Sequence, residues 1–169
     1  IDYYNETFKD KKSQAEIQKE ILQTIEKLRV NQNPNEYIFI YDFNGKLIQD
    51  AVSKNNIGEN FYNLKDINGK EVIKELITTS QKKHGGYIEY VWYKPEISKQ
   101  TNKISYSLSY NKWNWTIGKG VYLDEIDKLV KIKEEEFNQK ISNYTLQITS
   151  LTIMLILYSI FIYKNATIL

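Results

Sequence analysis

Hydrophobic positions change period several times along this chain, and each change marks an element. From Tyr3 to Val30 they recur at helical spacing. Ile17, Ile21, Ile25 and Leu28 form a stripe, widened by Ala15, Gln18 and Leu22, with Lys, Glu and Gln opposite. The pattern predicts one long amphipathic helix that packs on a sheet and also pairs with a second copy. Asn33-Pro34 ends it. From Glu36 to Asp42 the period drops to two, with Tyr37, Phe39 and Tyr41 on one face and Ile38 and Ile40 on the other. Asn44-Gly45 supplies a tight turn, and Lys46 to Ile48 returns as a second strand. A polar loop follows from Asp50 to Asn60, hinged at Gly58, and Asn63 to Gly69 makes another turn. Glu71 to Ser80 reads as a short helix with Val72, Ile73, Leu76 and Ile77 inward.

The longest alternating run is Gly85 to Pro95, a strand that puts Tyr90 and Trp92 on one face. A polar excursion from Lys94 to Asn102 leads to two more strands, Lys103 to Tyr110 and Trp115 to Tyr122, the last holding Gly118 and Gly120. Three consecutive antiparallel strands with helices predict an α+β domain with a curved sheet. Leu123 to Tyr144 is helical again, with Asp124 suitably placed against the helix dipole. Between Lys140 and Lys164 no charged residue occurs, and Leu146 to Tyr163 is rich in Leu and Ile. That length approaches the roughly 20 residues of a membrane helix, and Tyr144, Tyr158 and Tyr163 lie near its ends, as interfacial rings do. The expected division is an N-terminal helix over 1–33, a core over 34–127, a juxtamembrane helix over 128–144, a transmembrane helix over 145–163 and the start of a cytoplasmic part over 164–169. A chain that opens at Ile1 is expected to be a piece of a longer protein, an ectodomain whose first span precedes residue 1.

Composition removes several function classes. The 23 basic and 21 acidic residues are interspersed and leave a net charge of +2, so no nucleic-acid partner is expected. Without cysteine there is no disulfide frame, thiol chemistry or Cys zinc site. One histidine and no Gly-x-Ser-x-Gly leave no nucleophile–base set, so the region is read as non-enzymatic and free of cofactors. Asp66 and Asn68 echo a calcium loop but lack its remaining ligands, and no metal is expected. The excess is in tyrosine, with 14. Rings with one polar tip, gathered on a sheet face, suit a small dry pocket for a polar ligand.

One ordered set of residues carries a resemblance. Tyr37-Ile-Phe-Ile-Tyr-Asp42, Asn44-Gly45, Gly58-Glu-Asn60, Leu64-Lys-Asp66, Gly85-Gly86, Tyr90-Val-Trp92-Tyr-Lys94-Pro95, Lys103-Ile-Ser-Tyr106, Trp113-Asn-Trp115-Thr-Ile-Gly118 and Gly120-Val-Tyr122 together resemble a single Cache domain. These are extracytoplasmic sensor modules of bacterial chemoreceptors and sensor histidine kinases, and the match runs from about Tyr37 to Asp127. The resemblance implies a long N-terminal helix on a PAS-like antiparallel sheet and a small ligand, often a carboxylate such as acetate, propionate, lactate or pyruvate. Carried over, the pocket residues are Tyr90, Trp92, Lys103 and Tyr106, with Tyr41 and His84 secondary. Trp92 would form an apolar wall with an indole N–H, Tyr90 and Tyr106 would donate from their hydroxyls, and Lys103 would neutralise the carboxylate. Two departures stand out. Asp50-Ala51 replaces a His-Pro pair common in relatives, and Gly118-Lys119-Gly120 replaces Gly-Thr-Gly. The implied protein is a homodimeric receptor of the inner membrane, periplasmic to about residue 144, with a kinase, methyl-accepting or cyclic-dinucleotide output. A dimerisation or partner-sensing module without a small ligand is the alternative, and an interior that is empty or fully filled by side chains would favour it.

Overall fold

The computed structural model describes residues 1–8, 12–28 and 33–166. Residues 1–125 form one compact unit and 126–169 another. The first unit opens with two helices where the pattern predicts one, α1 (Asp2–Phe8) and α2 (Gln14–Lys27). Ser13 starts α2 through a capping box. Its hydroxyl accepts from the Glu16 N–H, and the Glu16 carboxylate accepts from the Ser13 N–H at 2.8 Å. That exchange satisfies donors a helix start leaves unpaired, and it sets the boundary just ahead of the apolar stripe, which begins at Ala15. Residues 9–11 and 29–30 of the expected helix lie outside the described residues.

Five strands form one antiparallel sheet: β1 (Ile38–Asp42), β2 (Leu47–Asp50), β3 (Gly86–Lys94), β4 (Lys99–Tyr110) and β5 (Trp115–Tyr122), in the order β2-β1-β5-β4-β3. The last strand therefore sits beside the first, joining the early hairpin to the later three strands. β4 starts four residues earlier than its apolar alternation suggests, because Ser98 takes a left-handed turn (φ 52°) and Lys99 pairs at once with Lys94. The "excursion" is therefore largely strand, with Lys94 buried and the polar side chains at Glu96, Lys99, Gln100 and Asn102 exposed.

The two faces of β1 bury different cores. Ile40 packs with Ile17 and Ile21 of α2 and with Trp113 and Trp115. Tyr37, Phe39 and Tyr41 turn the other way, onto Val72, Ile73, Leu76 and Ile77 of α3 (Val72–Ser80), with Ile88 and Tyr90 of β3. Two polar links hold α3 down: Ser107 Oγ donates to the Leu76 carbonyl at 3.0 Å, and Ser80 and Thr116 hydroxyls meet at 2.9 Å. The same face needs glycine in β5. A Cβ on Gly118 would lie 2.3 Å from the Phe39 ring, and one on Gly120 would lie 2.6 Å from the Lys103 side chain. Both glycines make room for large neighbours.

The asparagine-rich turn at Asp66 has a structural role. Its carboxylate accepts from the Asn68 and Lys70 N–H groups, both at 2.9 Å, and from the Val91 N–H of edge strand β3 at 3.0 Å. It thereby ties the loop to the sheet and occupies an edge donor. Among the described residues no cluster of His, Cys, Asp and Glu could hold a metal.

The final helix, α4 (Leu123–Ala166), is continuous. Its most apolar window has a mean hydropathy of 1.9 and none of that window is buried within the chain, so it is long and apolar enough to cross a membrane.

Candidate ligand site

The α3 face of the sheet encloses a cavity. β1 and its approach supply Tyr37, Phe39 and Tyr41, β2 ends in it with Asp50, α3 adds Val72, Ile73 and Leu76, and β3 adds Tyr90 and Trp92. The free volume, counted for the centre of a water-sized sphere, is about 10 Å³. That is room for about one water. A ligand the size of acetate enters only if a wall moves, and Trp92 is the partly exposed member of that wall.

Polar groups around this space fall into two sets. Some are engaged. The Tyr90 hydroxyl meets Ser105 Oγ at 2.7 Å, and the Tyr90 and Trp92 rings pack edge to face at 5.6 Å. Lys103 is wholly enclosed, and its ammonium donates to the Tyr37 hydroxyl at 3.0 Å. Lys103 also lies 4.0 Å from the Tyr37 ring centre and 4.8 Å from that of Tyr122, near enough for the rings to stabilise a cation. It is joined to the cavity through Tyr37. Other groups lack protein partners among the described residues: the Tyr41 hydroxyl, the Trp92 indole N–H and Asp50 Oδ2.

Burial sets the charges. It pulls the Lys103 ammonium down to about pKa 7, although Asp50 and Glu125 act through space to hold the proton. It raises the Asp50 carboxyl, against N–H groups from Ser53 and Val52 and the charge of Lys103. Tyr37, Tyr41 and Tyr90 are likewise pushed up by burial and stay protonated donors, and Tyr122 rises to about 12.

A second cluster joins this face to the start of α4. Lys94, 3% exposed, donates to Asp124 at 2.8 Å and pairs with Glu125 at 3.1 Å and Glu96 at 3.9 Å. Asn35 donates to Glu96 at 2.9 Å and to Glu125 at 2.5 Å. The segment before β1, the β3–β4 turn and the first turn of α4 thus meet at one lysine. Tyr122 has Lys103 near its ring, lies 5.4 Å from the Lys94 ammonium, and donates to the Tyr93 carbonyl at 2.5 Å.

Tyr41, Tyr90 and Trp92 are therefore together at the cavity, and Lys103 stands behind Tyr37. Tyr106 and His84 are elsewhere. Lys103 and Tyr106 are three apart on a strand, so their side chains leave opposite faces. Tyr106 stacks on Tyr87 at 4.9 Å and donates to the His84 carbonyl, while the His84 side chain is exposed. Tyr37, Tyr122 and Asp50 were missing from the expected site. The parity of Tyr37 with Tyr41 could have found the first. Tyr122 pairs directly with Lys103 in the sheet, a register the sequence does not display.

Comparison with known proteins identifies the family and the fold. The family described as single Cache domain 2 matches residues 2–136. A sensor histidine kinase of Rhizobium johnstonii, MctS, is 40% identical over 90 residues, covering 53% of this chain and 19% of its own length. A methyl-accepting chemotaxis protein of Pseudomonas putida, McpP, is 28% identical over 114 residues, covering 68% of this chain and 21% of its own. The chain thus spans about a fifth of these curated relatives. Among solved structures, a methyl-accepting chemotaxis protein of Vibrio parahaemolyticus superposes with a TM-score of 0.64 at 32% identity, over 72% of this chain and 80% of that one. A Cache chemosensory domain described for carboxylic acid recognition does so at 0.65 and 28%, over 71% and 81%.

Proposed function

This chain belongs to the single Cache domain 2 family of extracytoplasmic sensor domains, and we propose that it binds a small carboxylate on the α3 face of its sheet and passes the change to α4. The observation that carries this reading is Lys103. An ammonium that is wholly enclosed and has no ion partner within salt-bridge reach among the described residues, beside a wall whose Tyr41 hydroxyl and Trp92 indole N–H have no protein partner among them either, is matched by an anion. The related domain described for carboxylic acid recognition supports the ligand class.

Transmission runs through Tyr122. This residue ends β5, Leu123 opens α4, and the Tyr122 ring has a lysine on the ligand face and Lys94 near it, with Lys94 holding Asp124 and Glu125. A ligand that repositions Lys103 biases this first turn, provided it favours one packing over the other. In the full receptor, a homodimer with residues 1 to about 144 outside the inner membrane, α4 leads to a kinase or methyl-accepting output.

Thermal unfolding of the 169-residue chain in detergent, with acetate, propionate, lactate and pyruvate, tests the site. A ligand bound only by the folded form raises the midpoint. The rise is expected with at least one acid and is lost in folded Trp92→Ala and Lys103→Met proteins. A flat response across these acids and across glycine and L-alanine would refute it. The small cavity favours one second reading, a pairing or partner-sensing module without a small ligand.

A further inference from the structure

Asp50 is the one carboxylate in the cavity wall. It is 3% exposed, and the chain holds only half of it: Oδ1 accepts from the Val52 N–H at 2.7 Å and the Ser53 N–H at 3.0 Å, while Oδ2 has no protein partner among the described residues. A carboxylate oxygen of a buried residue, left open on the cavity, calls for a donor or a cation. A simple fatty acid supplies neither. Its anion would instead face Asp50 as a like charge, and one of the two would have to take a proton.

We propose that the ligand is a small α-amino acid, bound as a zwitterion with its ammonium on Asp50 Oδ2 and its carboxylate toward Tyr41, Trp92 and the Lys103 side of the cavity. This assignment rests on the carboxylate reading of the site and narrows it. The charge balance favours it, because a zwitterion meets an acid and a base with one of each and adds no net charge to an enclosed site. The protonation tendencies agree: burial drives Lys103 and Asp50 toward their neutral forms, and a zwitterion gives both a reason to be charged. The space holds about one water, so even glycine enters only when the wall at Trp92 moves, and a hydrogen or methyl side chain asks least of that movement.

The test uses matched pairs differing only at the amine, titrated calorimetrically into the 169-residue chain in detergent micelles: glycine against acetate, and L-alanine against propionate, L-lactate and N-acetyl-L-alanine. Glycine or L-alanine is expected to bind at least about tenfold more tightly than its partners lacking a cationic nitrogen, the weight of one charge-assisted contact. Asp50→Asn is expected to lower amino-acid affinity by a similar factor while leaving propionate no weaker. The wild-type pairs decide the matter even if Asp50→Asn fails to fold. Acetate, propionate or L-lactate binding as tightly as the amino acid overturns the zwitterion assignment and leaves the carboxylate site standing. Silence from all six compounds overturns both.

Discussion

Lys103 combines full enclosure with a charge that burial disfavours, and this makes it the most informative residue of the chain. Its folded pKa of about 7 lies below the 10.5 of a free lysine. Between those values the unfolded chain binds more protons than the folded one, so folding stability rises with pH across that window and is flat below it. Urea midpoints are therefore expected to climb from pH 7 to pH 9 in the wild type and to climb less in Lys103→Met. Equal slopes would mean that Lys103 reaches water. A carboxylate drawn to the same ammonium restores its proton, so binding at pH 8 takes up protons, visible as a calorimetric enthalpy that varies with the buffer. Gly120 belongs to the same reading, since any Cβ there meets the lysine.

At the scale of elements, the junction of β5 and α4 depends on Lys94. Replacing it by Met leaves Asp124, Glu125 and Glu96 adjacent without their cation, although all three keep some exposure and can rehydrate. The expected loss is about 1–3 kcal/mol, less than for a fully buried pair, read from chemical denaturation. If the transmission route holds, the variant still binds ligand but its first α4 turn no longer responds. A spin label at Asp127 in both forms measures that response. A ligand-dependent shift as large in the variant as in the wild type would place the route elsewhere. The opposite edge of the site is tied by Asp66 to Val91, with the loop fixed to β3 rather than arranged around a cation.

For the whole molecule, the apolar part of α4 is the feature with the clearest consequence. A lysine at the centre of a spanning helix costs about 2.5–3.5 kcal/mol on insertion scales. Ile156→Lys is thus expected to reduce membrane integration of the chain, measured by alkaline extraction of membranes expressing it. Retention as complete as the wild type would show that the helix lies elsewhere than across the bilayer. The domain outside it is a Cache sensor by family and fold.

The elements themselves were legible because periodicity is local. Tyr37, Phe39 and Tyr41 share a face whatever they pack against, Val72, Ile73, Leu76 and Ile77 make α3 amphipathic, and the uncharged stretch after Lys140 spells out its length. Ser13 and Glu16 also carried their boundary in sequence, as a Ser-x-x-Glu pair directly before the apolar stripe that begins at Ala15. The site was only half legible. Tyr90 and Trp92 follow from strand parity, and the same parity already separates Lys103 from Tyr106. Tertiary structure alone decided the rest: that β5 returns between β1 and β4, that Tyr122 therefore stands opposite Lys103, and that β2 ends with Asp50 in the cavity. Such pairings join residues far apart in the chain, and their free energy comes from burial and charge complementarity that no local pattern encodes.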